Sequence, residues 1–434
     1  MDIRFYNARI LTMEKDREIF TGEVRVRNEK IIYVGETDAG TKDIAFDEEI
    51  DCGGNLLMPG FKDAHTHSGM TLLRSYADDL PLDQWLNQQV FPIEAKMTGE
   101  DICELTKLAV LEYLTSGITA VFEMYLTPDT IAKAFDEMGM RAVQVGGVNN
   151  FSQSPEMLEE WYLKLNGKSP LQSYHLGFHA EYTCSRDLLV RIAKLAHKYK
   201  APVFTHLAET KAEVEGCKER YGMTPLAFLD SLGIFDYGGG GYHCVHMTDE
   251  DIALMKRKGL YVVTNPGSNT KLASGIAPIS DYLKAGVVVA LGTDGPASNN
   301  CLDMFREMFL VTGLAKLRQE DASAVDAMEV LKMATVNGAR AMGLWDADVL
   351  AEGKLADLIL IDLNQPNMQP LNHIAKNLVY SGSKQNVKLT MIHGRILYRD
   401  GVFLTAQKPE DIYRKANEII GRLKSNTPAQ AAGN

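Results

Sequence analysis

No stretch of the 434-residue chain approaches the roughly 20 consecutive apolar residues that a membrane-spanning helix requires. Basic residues are also scarce, with 45 lysines and arginines against 57 acidic residues, so the formal net charge is −12. This deficit argues against a surface for nucleic acid or for anionic membranes. The six cysteines lack the paired spacing of a disulfide framework, which favours reduced thiols in a chain of this length.

The composition is that of an ordinary globular protein, with 45% apolar and 24% charged residues. The opening residues Met1-Asp-Ile-Arg-Phe carry charges where a secretory signal has an apolar run, so we expect no signal peptide. A cytoplasmic enzyme with one large and one smaller domain is therefore the starting hypothesis, and a homo-oligomer stays open.

The two ends of the chain share one pattern. Residues 1–57 contain short alternating apolar and polar runs between turn residues, and similar runs return in residues 352–408. Neither end has enough strands to bury a sheet face alone, so the pattern predicts one composite β-sandwich domain built from both. Residues 409–434 are predicted to form a C-terminal amphipathic helix followed by a tail from residue 427.

The middle of the chain, residues 58–351, alternates short apolar runs with longer helical patterns. That alternation is typical of a parallel sheet covered by helices, and eight strands in about 300 residues indicate a (β/α)8 TIM barrel. The predicted strands are 56–63, 118–124, 142–148, 174–179, 203–206, 241–246, 261–264 and 287–292.

His65 and His67 end the first of these strands, within Met58-Pro-Gly-Phe-Lys-Asp-Ala-His-Thr-His67. Residues i and i+2 of a strand point to the same side, so both imidazoles can reach one metal ion. Such a pair alone is more often two surface histidines beside a turn. In this sequence the pair favours a metal site because other predicted strands also end in polar side chains. Active sites of (β/α)8 barrels lie where the carboxyl ends of the strands meet.

Those other strand ends carry His206, His243 and Asp294. Each would be structural if it stood alone, and Asp294 could be an ordinary turn residue. Together they predict one divalent metal with an open position for water, and zinc and iron both suit such ligands. The predicted ligands are His65, His67, His206 and Asp294. Glu209, three residues beyond His206, can then move a proton between water and substrate, and His243 can hydrogen-bond the attacking hydroxide.

These motifs, in this order, resemble the amidohydrolase superfamily. They are Pro59-Gly-Phe-Lys-Asp-Ala-His65-Thr-His67, Thr205-His206-Leu-Ala-Glu209, His243-Cys-Val-His246 and Leu291-Gly-Thr-Asp294-Gly. Further runs are similar to its 5-methylthioadenosine/S-adenosylhomocysteine deaminases: 73–82, Phe91-Pro-Ile-Glu94, Asn265-Pro-Gly-Ser-Asn269 with Lys271-Leu272, and 292–300. Some relatives hold two metals with a carboxylated lysine on strand 4. The corresponding run Gly177-Phe-His-Ala-Glu-Tyr182 has no lysine, so the resemblance implies one metal, Zn²⁺ in first place with Fe²⁺ as the alternative, and deamination.

The resemblance also implies substrate contacts. It makes Glu94 the contact to the ribose hydroxyls and His179 a contact to a purine ring nitrogen, and a carboxylate can indeed accept two hydrogen bonds from a vicinal diol. Trp85 is expected to stack near the ligand, to close the pocket as a lid, or simply to pack. Relatives that accept S-adenosylhomocysteine hold its carboxylate with arginines in and after strand 3, but the run Arg141–Ser154 has glycine and neutral amides where those arginines would be expected. We therefore expect a nucleoside with a small or neutral 5′ group: adenosine, 5′-deoxyadenosine or 5′-methylthioadenosine, with S-adenosylhomocysteine less favoured.

The implied reaction is hydrolytic deamination of an adenine nucleoside. A hydroxide generated on the metal attacks C6 and Glu209 delivers a proton to N1. His243 and Asp294 position the hydroxide, and Asp294 passes a proton to the departing ammonia, leaving the inosine analogue. One alternative is a deaminase or chlorohydrolase of guanine, a pterin or a triazine, none of which offers a ribose to Glu94. The other is an inactive scaffold on the same fold, which would have no chemical reason to keep the ligands and Glu209.

Overall fold

The computed structural model describes residues 1–37, 45–80 and 84–425, so the predicted tail from residue 427 lies outside the described residues. None of the helices in these ranges combines the length and the apolar character that a membrane crossing needs.

The strands, in chain order, are β1 Asp2–Ile10, β2 Phe20–Arg27, β3 Lys30–Gly35, β4 Glu48–Asp51, β5 Leu56–Pro59, β6 Phe61–Thr66, β7 Ile118–Glu123, β8 Arg141–Val145, β9 Gln172–Ala180, β10 Val203–Leu207, β11 Gly239–His243, β12 Tyr261–Thr264, β13 Val288–Leu291, β14 Leu358–Ile361, β15 Val387–Ile392, β16 Arg395–Arg399 and β17 Val402–Phe403.

The predicted barrel is confirmed: β6 to β13 form a parallel eight-stranded sheet whose order follows the sequence. The α-helices are Phe91–Glu94, Gly99–Thr115, Pro128–Met138, Pro155–Leu165, Arg186–Tyr199, Lys211–Tyr221, Pro225–Ser231, Asp249–Lys258, Pro266–Lys271, Ile279–Ala285, Met304–Gln319, Ala327–Lys332, Gly338–Ala341, Ile374–Tyr380 and Pro409–Ser425. Segments of 3₁₀ or π helix lie at Ser68–Leu73, Trp85–Val90, Glu181–Thr183, Met333–Asn337, Pro366–Met368 and Lys384–Asn386.

The last barrel strand meets the first at the end that carries the histidines. The Asp294 N–H donates to the His65 carbonyl at 2.9 Å. The buried Asp63 carboxylate accepts both the Thr293 N–H, at 2.8 Å, and the Thr293 hydroxyl, at 2.6 Å. These bonds fix β6 against the end of β13, so two predicted metal ligands are held in register across the closure.

The second sheet joins both chain ends, as predicted. Its nine strands run β17-β16-β15-β14-β5-β1-β2-β3, with β4 also paired to β1. The two ends meet where β14 pairs antiparallel with β5, which itself lies parallel to β1. Buried apolar side chains from both ends form a core of their own, including Phe5, Val24, Leu57, Leu358 and Leu389.

The predicted single strand 56–63 is in fact two strands that belong to different sheets, β5 in the terminal sheet and β6 in the barrel. The change occurs at Gly60, where an added Cβ would lie 2.1 Å from Thr119 Cγ2. The close approach of the Thr119 side chain on β7 therefore requires glycine at this position. The predicted strand 241–246 also ends early, at His243, because His243 and Cys244 have left-handed φ angles of 67° and 49°.

The C-terminal helix Pro409–Ser425 packs on the barrel, although it follows the terminal sheet in the chain. Arg422 pairs with Asp101 at 2.5 Å and Lys415 pairs with Glu104 at 3.1 Å, both on the barrel helix Gly99–Thr115. Its buried Leu423 joins an apolar cluster that includes Trp85.

Candidate active site

The carboxyl ends of the barrel strands surround a cavity of about 570 Å³. The cavity is lined by most of the residues that the sequence singles out, namely His67, Trp85, Glu94, His179, His206, Glu209, His243 and Asp294. His65 is fully buried beside this set, with its ring 4.7 Å from that of His67 and 4.8 Å from that of His206. One site therefore contains all the predicted ligands, acid–base groups and substrate contacts.

Potential metal-ligand atoms form two overlapping groups that share His65. Potential ligand atoms of His65, His67 and Asp294 all lie within 4.8 Å of one another, and so do those of His65, His206 and His243. Asp294 Oδ1 is 3.1 Å from His67 Nε2 and 3.6 Å from His65 Nε2. Both buried ring nitrogens of His65 lack a hydrogen-bond partner among the described residues. A buried polar atom without a partner is costly, and a bound cation would satisfy it, so this donor set fits a divalent metal.

Hydrogen bonds orient the histidines toward the centre of the site. The Nδ1–H of His206 donates to the His179 carbonyl at 2.7 Å, and that of His67 donates to the Met124 carbonyl. Engaging Nδ1 leaves Nε2 free to ligate and fixes the plane of each ring. His65 is held differently, by stacking on the ring of Tyr242 with centroids 3.8 Å apart.

Asp294 is fixed by side chains that the sequence analysis did not assign. Its Oδ2 accepts the hydroxyl of Ser268 at 2.7 Å and that of Ser298 at 2.8 Å, while Oδ1 accepts the Gly295 N–H at 2.7 Å. The two serines lie in the runs 265–269 and 292–300, which carry the family resemblance but suggest no role by themselves. Only their proximity to Asp294 reveals one.

Left-handed backbone recurs where the strand ends present these groups. Ala208 has φ 49°, His243 has φ 67° and Asp294 has φ 59°. Such conformations are unfavourable for non-glycine residues and persist where surrounding bonds enforce them, typically at functional sites. At Ala208 the enforcing residue is Glu213, whose buried carboxylate accepts the N–H of Ala208 at 2.7 Å and that of Glu209 at 2.9 Å.

Glu209 and His243 face each other across the site. The Ser274 hydroxyl donates to Glu209 Oε1 at 3.2 Å, and Glu209 Oε2 lies 3.8 Å from His243 Nε2. His243 Nδ1 donates to Asn269 Oδ1 at 2.8 Å, so Nε2 is directed toward Glu209 and toward Asp294 Oδ2, which is 4.0 Å away. A carboxylate and an imidazole so placed beside a metal-competent cluster can exchange protons with water.

Two further groups line the wall beyond the histidines. Burial raises the pKa of Glu94 to about 7, and the Tyr125 hydroxyl opposes that rise by donating to Glu94 Oε1 at 2.6 Å. Burial lowers the pKa of His179 to about 4, so its ring is neutral, and Nδ1 lies 3.1 Å from the Thr183 hydroxyl. Tyr125 gives no signal in the sequence, because it follows β7 without a recognisable motif.

The outer wall is largely apolar, with Leu86, Phe91, Phe151, Tyr182 and Leu272 among its residues. Within the described part of the chain, no lysine or arginine lines the cavity. Arg141, at the start of β8, instead donates two hydrogen bonds to the buried carboxylate of Asp357, at 2.5 and 3.0 Å. The lack of arginine after strand 3 in the sequence thus agrees with the absence of lysine and arginine from the described residues of the cavity wall.

Comparison with known proteins gives consistent results. The family model described as amidohydrolase family matches residues 56–397. A 5-methylthioadenosine/S-adenosylhomocysteine deaminase of Caldanaerobacter subterraneus subsp. tengcongensis is 40% identical over 409 residues, 92% of this chain and 93% of that protein. The crystal structure of an adenosine deaminase from Xanthomonas campestris with bound zinc has a TM-score of 0.91 at 33% identity, covering 98% of this chain and 99% of that one.

A more distant similarity is to the zinc complex of an atrazine chlorohydrolase from Arthrobacter aurescens. That structure is 22% identical with a TM-score of 0.88, and the match covers 96% of this chain and 100% of that one. At that identity the similarity supports a shared fold and nothing further. Because the family model spans the whole barrel and the relatives align over nearly the entire length, this chain belongs to the amidohydrolase family.

Proposed function

We propose that this protein is a metal-dependent hydrolase that deaminates adenine nucleosides, releasing ammonia and the inosine analogue. One observation carries the proposal: a single cavity combines a convergent histidine–aspartate cluster, the carboxylate of Glu209 and the carboxylate of Glu94. The first two groups suit the activation of water, and the third suits a ribose diol. The names of the relatives, which include adenosine and 5-methylthioadenosine/S-adenosylhomocysteine deaminases, agree with this reading.

A divalent metal would be held by four of the described side chains: His65, His67, His206 and Asp294. When bound, it supplies a water whose pKa lies near neutrality. We propose Zn²⁺ as that metal, because the adenosine deaminase structure contains zinc and the ligand set suits it. Iron in its divalent form remains the chemical alternative.

The remaining chemistry belongs to the protein's own groups. The attacking water oxygen forms a bond to C6 of the adenine ring, and Glu209 carries one proton from that water to N1. His243, fixed through Asn269, holds the attacking oxygen by a hydrogen bond at Nε2. Asp294 takes the second proton and passes it to the C6 amine, the C6–N6 bond breaks, and ammonia leaves. Atoms balance: one water and one adenosine yield one inosine and one ammonia.

Substrate selection falls to the outer groups. The ionised Glu94 carboxylate can accept both ribose hydroxyls while Tyr125 holds it in place. His179 is neutral, and in the tautomer that carries its proton on Nε2 it can donate a hydrogen bond to a purine ring nitrogen. Trp85 is buried in the cavity wall and contributes an aromatic surface for the ligand.

The preferred 5′ group is small or neutral: that of adenosine, 5′-deoxyadenosine or 5′-methylthioadenosine. A charged amino-acid tail would find no guanidinium among the described residues of the wall, and the sequence 81–83, Pro-Leu-Asp, adds none. All six cysteines are free thiols, five of them buried, which supports a reducing cytoplasmic compartment.

A substrate panel tests this function. The metal-loaded protein is incubated with adenosine, 5′-methylthioadenosine, S-adenosylhomocysteine and guanine, and the loss of the purine amine is followed by absorbance and by ammonia release. We expect the first two to be turned over with the highest kcat/KM. Turnover of guanine alone would refute the nucleoside assignment, S-adenosylhomocysteine as the best substrate would refute the neutral 5′ preference, and no turnover with a full equivalent of metal would favour the inactive scaffold.

A further inference from the structure

Three sequence runs that carry the family resemblance, 73–82, 265–272 and 292–300, meet beside the cavity through residues that the mechanism above does not use. Lys271 Nζ donates to Asp78 Oδ1 at 2.6 Å, to the Ala297 carbonyl at 2.9 Å and to Asn300 Oδ1. Asn300 Nδ2 donates in turn to Asp78 Oδ2 at 2.8 Å. The Asp78–Lys271–Asn300 cluster therefore closes a triangle between residues that lie 193 and 222 positions apart.

This cluster is geometrically saturated. The lysine ammonium has three protons and three acceptors, and each carboxylate oxygen of Asp78 has a donor. The side chains of Lys271 and Asp78 are 19% and 31% exposed. Isolated ion pairs at such exposure contribute little to stability, but a network with every bond direction specified fixes geometry. We therefore expect the cluster to fix the relative positions of the segments that it joins more than it stabilises the fold.

On one side the cluster holds the helix Pro266–Lys271. This helix provides Ser268, which donates to Asp294, and Asn269, which accepts from His243. Its first turn is held separately, because the buried Glu307 carboxylate accepts the Gly267 N–H at 2.8 Å. Both ends of the helix are thus fixed, one through Glu307 and the other through Lys271.

On the other side the cluster holds the stretch of chain that leads into one wall of the cavity. We call residues 74–80 and 84–95 the covering segment. Its first part carries Asp78, and its second part carries Trp85 and Glu94, which line the cavity. The two parts share one apolar cluster, since Tyr76, Ala77 and Leu80 pack against the cluster that contains Trp85. Fixing Asp78 therefore restrains the surface against which a nucleoside would lie.

We propose that Lys271 is a positioning residue for nucleoside binding. It ties the covering segment to the helix that orients Asp294 and His243, so the sugar-binding and water-activating halves of the site keep one spacing. The expected change in KM rests on the proposed function, whereas the expected restraint of the covering segment does not. Because Glu307 and Ser298 still hold the helix and Asp294 without Lys271, loss of the cluster acts on KM more than on kcat.

The test compares Lys271→Met with Lys258→Met in the metal-loaded full-length protein. Lys258 is a matched control, since it pairs with Asp230 at 2.8 Å and Asp236 at 3.0 Å, is 28% exposed, and does not line the cavity. We expect Lys271→Met to raise KM for adenosine about tenfold with kcat changed less than about twofold, as for a lost substrate-positioning contact. Amide hydrogen exchange should quicken in peptides covering 74–80 and 84–95, and the control should match the wild type in both measurements.

A double variant separates the cluster from general destabilisation. Asp78→Asn combined with Lys271→Met should raise KM no further than Lys271→Met alone, because both changes break one interaction. Unchanged exchange in the covering segment would overturn the proposal, as would equal effects in the Lys258 control. Loss of metal or of kcat in Lys271→Met would also overturn it. A wild-type protein without nucleoside turnover would refute the proposed function alone, since hydrogen exchange needs no substrate and still decides whether Lys271 restrains the segment.

Discussion

The inner and outer halves of the cavity are built in opposite ways. The inner half consists of side chains at strand ends, such as His65, His206 and Asp294, which are buried and fixed by hydrogen bonds or ring stacking. The outer half consists of side chains from loops, short turns and the short helix Phe91–Glu94. Phe151 is 88% exposed there and Tyr182 is 44% exposed.

Under the proposed function, this difference separates the residues that catalyse the reaction from those that select the substrate. Water activation requires ligand atoms held within fractions of an ångström, and strand ends whose backbone is locked by Glu213 and by the barrel closure provide that precision. Recognition of a variable 5′ group requires surface chemistry that can change without disturbing the ligands, and exposed loop side chains provide it. Changes in the inner half should therefore abolish turnover, whereas changes in the outer half should redirect it.

The largest effect is expected from Glu209→Gln in the inner half. The glutamine keeps the shape and the Ser274 contact but cannot accept the proton from water, so kcat should fall by about 10³-fold. Metal content, measured by elemental analysis, should stay at one equivalent, because Glu209 is not among the proposed ligands. Normal turnover in this variant would contradict the proton-transfer role.

An intermediate effect is expected at the boundary between the halves, from Glu94→Gln. Loss of the charged acceptor should raise KM for adenosine by about tenfold to a hundredfold at pH 8, with kcat changed less. The matched control is 2′,3′-dideoxyadenosine, which lacks the diol and should show the same KM with both proteins. Equal losses for both substrates would argue that Glu94 packs without contacting the ribose.

The same residue predicts a pH dependence with a definite sign. Burial raises the pKa of Glu94 to about 7, so the carboxylate is ionised above that pH and protonated below it. A protonated carboxyl accepts fewer hydrogen bonds from the diol. The wild-type KM for adenosine should therefore rise as the pH falls through 7, and the Gln variant should not show that rise.

The smallest effect is expected from Phe151→Arg in the outer half. Because Phe151 is almost fully exposed, its replacement should not alter the melting temperature. A guanidinium at the cavity wall can pair with the carboxylate of S-adenosylhomocysteine, so kcat/KM for that substrate relative to 5′-methylthioadenosine should rise about tenfold. Phe309→Arg is the control, since Phe309 is 53% exposed and does not line the cavity. A similar rise in relative kcat/KM for the Phe309→Arg control, or no rise for Phe151→Arg, would contradict the assignment of substrate selection to the outer half.

Much of the inner half was predictable, because local patterns encode it. Alternating strand and helix signals indicate the barrel, and the barrel alone implies that His65, His206 and Asp294 end on one face. The positioning residues were not predictable in the same way. Glu213 resembles a helix-cap acid, Ser268 and Asn269 resemble turn residues, and Tyr125 follows a strand without a motif. Their roles depend on contacts across the barrel that no local pattern contains.

By itself, the sequence determined the order of strands and helices, the pairing of the two chain ends and the identity of the metal-competent side chains, since periodicity and residue type suffice for these. The tertiary structure decided where one apolar run divides between two sheets at Gly60, because that depends on the approach of Thr119 from a neighbouring strand. It also decided how Asp78, Lys271 and Asn300 meet, because distant residues acquire a common function only when the fold brings their atoms within hydrogen-bond distance.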